Sequence, residues 1–111
     1  MRALRRIGRV GLTIGAAVAL VTGLTANAQA ASGTFSRTRA DTGFKEPIID
    51  PDNDSCLPLD GGALLVDNET DAIATVFRDD NCSAPQASLH HGETGAFGGA
   101  AVPHSVVFTA P

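Results

Sequence analysis

The sequence predicts an all-β protein, a small antiparallel sandwich or barrel closed by one disulfide. Three observations point there. Short apolar runs recur between residues 56 and 111, each bounded by Gly-, Asp- or Asn-rich turns. After residue 30, no window of ten or more residues repeats its apolar positions at helical spacing. The two cysteines, Cys56 and Cys82, lie on either side of the first of these runs.

Taken in order, residues 1–30 read as an export leader. Arg2, Arg5, Arg6 and Arg9 form a basic start without an acid, and an uncharged apolar stretch runs from Leu12 to Thr25. That stretch is shorter and richer in Gly than the ~20 apolar residues a membrane span needs. Small residues at signal-peptidase spacing follow, and cleavage is expected after Ala30, with Ala28 as the alternative. The exported chain would keep four Lys and Arg against twelve Asp and Glu, a net charge of −8 where the whole chain carries −4. So acidic a product repels nucleic acid and anionic membranes, and neither is an expected partner.

Residues 31–55 read as a disordered acidic lead-in, with Pro47-Ile48-Ile49 as its one apolar patch, able to add an edge strand. The ordered domain is expected over 56–111. A domain that short is marginal without a staple, and an exported pair of cysteines supplies one as Cys56–Cys82. Ala63–Val66 and Ala72–Phe77 read as a β-hairpin around the Asp67–Asp71 loop. In the second of these runs Ala72, Ala74 and Val76 share one face and Ile73, Thr75 and Phe77 the other. Gln86–His90 is a third strand, Gly92–Gly95 and Gly98-Gly99 are loop, and His104–Thr109 is the last strand.

Val76-Phe77-Arg78-Asp79-Asp80-Asn81-Cys82, a long hairpin and a closing Ser105-Val106-Val107-Phe108 resemble one βγ-crystallin-type Greek-key motif, spanning Cys56–Thr109. In that family an aromatic and acidic turn opens the motif and a Ser before an apolar strand closes it. The resemblance implies a Greek-key fold, and some small exported bacterial proteins of this kind inhibit metalloproteases. Cys82 replaces the second aromatic of the opening turn, and Ala84 stands where a Gly is usual. Ala100 and Ala101 occupy the positions of the paired Asp or Asn that hold calcium, so the calcium site does not carry over. Whole domains of the family use two motifs, and Ala63–Asp71 reads as a degenerate remnant of the other.

No cofactor or metal is expected. Asp50-Pro51-Asp52-Asn53-Asp54 spaces carboxylates as a calcium loop begins, but Ser55 and Gly61 stand where such a loop needs Gly and Glu. It reads as a solvated linker. His90 and His91 are neighbours, so on a strand only one of them could join His104 at a metal. Ser105 lacks a nucleophile elbow and reads as a structural Ser, which leaves no catalytic residue. The sequons at Asn53, Asn68 and Asn81 follow a leader of bacterial style, and no glycan is expected. Asn68 and Thr70 in one loop and Phe97 in the Gly-rich Gly92–Gly99 segment remain as candidate contact residues. Phe97 reads first as a plug folding back on the core.

The expected protein is therefore secreted and non-catalytic, a binding or inhibitor-like module whose partner is an extracellular protein such as a protease. The alternative is a structural or stress-related protein of crystallin type with no defined target.

Overall fold

A computed structural model describes residues 30–98 and 101–111. The leader with Ala28, and the positions Gly99 and Ala100, lie outside the described residues. Eight strands form where every second side chain can turn inward: β1 (Gly33–Arg39), β2 (Lys45–Ile49), β3 (Leu57–Pro58), β4 (Ala63–Thr70), β5 (Ile73–Phe77), β6 (Pro85–Leu89), β7 (Thr94–Ala96) and β8 (Ser105–Thr109). They build two antiparallel sheets, ordered β2-β1-β4-β7 and β3-β8-β5-β6. The protein is an all-β Greek-key sandwich with one disulfide.

The order of strands contains a repeat. In each half the first strand pairs with the second and the fourth, β1 with β2 and β4, and β5 with β6 and β8. The third strand of each half crosses to the other sheet, β3 joining β8 and β7 joining β4. Each sheet thus holds three strands of one half and one of the other. Between them lie Phe35 and Val66 from the first sheet, Ala74, Val76, Val106 and Phe108 from the second, and Leu59 before β4. Phe35 meets Phe108 edge to face, ring centroids 5.2 Å apart, and ties the layers at their middle.

Residues 31–55 are not a disordered lead-in, and the domain does not begin at Cys56. β1 and β2 make half of the first sheet, and Ala31 and Phe35 are core residues. The apolar period is hidden because the second inward position of β1 is Arg37, 5 % exposed. Its Nη1 donates to the carbonyls of Asp60 (2.6 Å) and Gly62 (2.9 Å), and its Nη2 to Glu46 Oε1 (2.9 Å). The guanidinium thus ties the loop before β4 to β1 by charge-assisted bonds to two of its carbonyls, one of which, Gly62, also accepts from Ala40 N (3.3 Å). Arg37→Leu should lower stability by about 2 kcal/mol, and chemical denaturation would measure it. Pro47-Ile48-Ile49 forms the edge strand that the sequence suggests, within β2.

The expected hairpin over Ala63–Phe77 is also corrected. β4 continues to Thr70, through the stretch expected to be loop, and it lies in the opposite sheet from β5. Only Asp71 and Ala72 join them. Gly92–Gly95 is likewise not all loop, because Thr94–Ala96 pairs with Asp67–Leu65 as β7. The predicted faces of β5 hold: Ala72, Ala74 and Val76 are buried, while Ile73, Thr75 and Phe77 are half-buried. The expected motif over Cys56–Thr109 straddles both halves, the first of which runs from Ala30 to Asp71.

Cys56 and Cys82 are bonded, with Cα atoms 5.9 Å apart. The bridge joins the segment entering β3 to the β5–β6 loop. β3 contributes only two residues to its sheet, so the crosslink holds the exchanged strand where hydrogen bonds are few.

Candidate functional site

The β5–β6 loop shows how local chemistry fixes the surface. Asp79 accepts from the amides of Ser83 and Ala84 (both 3.1 Å) and from the Ser83 hydroxyl. Ser105 Oγ donates to the Asp79 carbonyl (2.6 Å) and accepts from Cys82 N (3.2 Å). Ser105 is therefore the structural tie that the sequence suggests, closing the loop from β8. Cys82 takes the left-handed conformation at φ 58°, so the residue with the strained backbone is the disulfide cysteine and not Ala84.

The Ser83 hydroxyl, with the two amides, holds the Asp79 carboxyl below the ordinary carboxylate range. A carboxyl depressed in the folded state stabilises it above its unfolded pKa, and the gain is lost as pH falls through the folded value. Wild type should lose this contribution below about pH 4, whereas Asp79→Asn should remove that part of the pH dependence. Thermal melts between pH 2 and pH 7 would read it.

Asn68 and Thr70, expected as loop contacts, are fully buried. Asn68 Nδ2 donates to the carbonyls of Ala72 and Leu89 (both 2.9 Å), and its Oδ1 accepts from the Thr70 amide (3.1 Å) and hydroxyl (2.6 Å). All four places on one amide are used, and they join β4 to the start of β5 and the end of β6. These two residues present nothing to a partner. Phe97 is half-buried against the core, as the plug reading has it. Its ring lies 3.1 Å from where a Cβ at Gly95 would stand, so Gly95 makes the room.

The histidines do not converge. His91 Nδ1 bonds the Thr70 carbonyl (2.9 Å), His104 Nδ1 bonds the Arg78 carbonyl (3.1 Å), and His90 is exposed. Among the described residues no group of three His, Cys, Asp or Glu is placed to hold a metal ion. Asp50–Asp54 is an ordered connection and not a free linker. Asp50 Oδ1 accepts from Gly33 N (2.9 Å), and Asp54 N donates to the Phe108 carbonyl (2.7 Å). No helix of the described residues is long and apolar enough to cross a membrane.

What the structure does bring together is a cleft of about 380 Å³ where the two sheets part, between β6 and β7. Ser88 and Leu89 line one wall, Thr94 and Gly95 the other, with Glu93 at the closed end and Phe97 at the far side. Glu93 shapes that end by accepting from His90 N (2.7 Å). Of these residues the sequence singled out Phe97 alone. The strand alternation of Gln86–His90 was visible in the sequence, but the exchange of β7 into the other sheet carries no local mark. A second hollow of about 250 Å³ lies on the outer face of the first sheet, over Leu65 and beside the Lys45–Asp67 pair.

Comparison with protein families, with curated proteins and with solved structures finds no match to this chain.

Proposed function

We propose that the protein is an exported, non-catalytic binding domain of βγ-crystallin type whose partner is an extracellular protein, a secreted protease by class. The observation that carries this reading is the β6–β7 cleft. β6 and β7 are each paired on one side only, so both walls offer unused backbone donors and acceptors to an extended chain. Three of the four sheet edges carry a proline, Pro47 in β2, Pro58 in β3 and Pro85 at the start of β6, so β7 and the stretch Gln86–Leu89 of β6 are the edges with a backbone donor at every residue. Two further features support the class. The chain folds as two like halves, and Ser105 ties the acidic turn to the last strand, as the sequence resemblance implies. The disulfide suits an oxidising compartment outside the cell.

The test is a titration of the purified protein against a panel of secreted metallo- and serine proteases, read by inhibition and by amide shifts at Ser88, Thr94 and Gly95. Ala96→Arg, at an exposed position lining the cleft, should weaken binding at least about tenfold, the effect of burying an unpaired charge, and leave the melting temperature unchanged. A protein that binds none of the panel would lose the inhibitor reading, leaving a structural role with no defined target.

A further inference from the structure

We propose that the sandwich contains a built seat for the α-ammonium group of Ala31, which removal of the leader after Ala30 would create. This rests on the export reading above. The nitrogen concerned is already in place. Ala31 is 2 % exposed, its methyl belongs to the core, and its N donates to the Pro51 carbonyl at 2.7 Å. Ala30, one residue before, is exposed and pairs with Asp52. The next two amides are held by carboxylates, Ser32 N by Asp71 Oδ1 and Gly33 N by Asp50 Oδ1, both at 2.9 Å. Gly33, at φ 117°, lets β1 begin against the backbone of Glu69 and Thr70, which fixes this start in position.

The carboxylates here have no cation of their own. The ion pairs of the described residues join Arg37, Arg39 and Lys45 to Asp41, Glu46 and Asp67, and none reaches Asp50, Asp52 or Asp71. In the uncut chain the Ala31 nitrogen is a neutral amide with a single donor. Cutting the Ala30–Ala31 bond gives it a positive charge and two more donors at the same point. The Pro51 carbonyl then accepts a charge-assisted bond, and the surrounding carboxylates favour the charged form. Loss of the exposed Ala30 opens one side to water, so the ion is not fully desolvated. Cleavage after Ala28 would instead leave Gln29 and Ala30 ahead of the seat and move the charge off it.

Amine labelling tests the seat directly, because the exported chain has two amines. One is the α-amine and the other is Lys45 Nζ, which is 67 % exposed and only 3.9 Å-paired to Asp67. A free α-amine has pKa near 8 against about 10.4 for Lys, so at pH 7 an unheld terminus is acylated far faster. In the oxidised protein beginning at Ala31 the order should reverse, with Lys45 labelled first. An α-acetylated form keeps the amide to Pro51 and loses the charge, and a form beginning at Gln29 keeps that amide and the Ala30–Asp52 pairing but carries its charge two residues ahead of the seat. Each should melt at least about 4 °C lower, with the gap closing in 1 M salt. Labelling of the α-amine before Lys45, with equal melting of the three forms, would overturn the seat. The mass of the product secreted by cells expressing the full chain separates the two readings. A product beginning at Ala31 supports the export link, and one retaining Met1 removes it whatever the labelling result.

Discussion

Asn68→Ala should be the most damaging single polar truncation in the protein, lowering stability on the order of 4 kcal/mol. The side chain makes four hydrogen bonds with no solvent access, to the carbonyls of Ala72 and Leu89 and from the amide and hydroxyl of Thr70. Alanine leaves both carbonyls without this donor and Thr70 without its acceptor, and each buried unpaired group costs roughly 1–3 kcal/mol. Asn68→Asp should fare no better, because it puts a charge where two carbonyls point. Thr70→Val removes one member and should cost about 1–2 kcal/mol. Urea denaturation of the three variants gives the order. An Asn68→Ala protein with wild-type stability would mean that the inward amide holds nothing together.

The second large effect is loss of the disulfide. Cys56 and Cys82 are separated by 26 positions, and closing a loop of that length is worth about 3–4 kcal/mol in the chain-entropy account. For a domain of this size the melting temperature should fall by more than about 10 °C on substituting both cysteines by Ser. The damage should be uneven. β3 is only the pair Leu57–Val106 and Pro58–Ser105, flanked by single bonds from Asp54 N to Phe108 and from Leu59 N to His104, so hydrogen exchange should accelerate first there and in the β5–β6 loop. Amides of β1 and β4, in the other sheet, should keep their protection in the oxidised and bridge-less proteins alike until global unfolding.

The strands that the sequence revealed are those whose inward residues are apolar. Ala72, Ala74 and Val76 alternate cleanly, and so β5 is readable in the sequence down to the face of each side chain, whereas β7, three residues long and among glycines, is not. β1 and the end of β4 escaped because their inward positions hold Arg37, Asn68 and Thr70. A polar residue at an inward position reads as a turn or a solvated face, and only its partners show otherwise. Those partners are carbonyls of distant loops, which no local window contains. Charge misled in the same way at Asp50–Asp54, where the Asp50 carboxylate accepts from Gly33 N at the start of β1. The candidate site was legible in part. Phe97 and the structural role of Ser105 follow from sequence, one from an aromatic among glycines and the other from a Ser opening an apolar strand. The cleft does not, since it arises where β6 and β7 belong to different sheets.

The exchange of β3 and β7 between the sheets makes each half of the chain incomplete by itself. A chain cut between Asp71 and Ala72 would give two pieces, each missing the strand that the other holds. Neither piece should be folded alone, yet the two should find each other when mixed, since every missing edge has its complement in the partner. Cys56 and Cys82 fall on opposite sides of that cut, so oxidation would lock the reunited pair covalently. The architecture is in effect a ready-made split protein, with reassembly reported by a single bond.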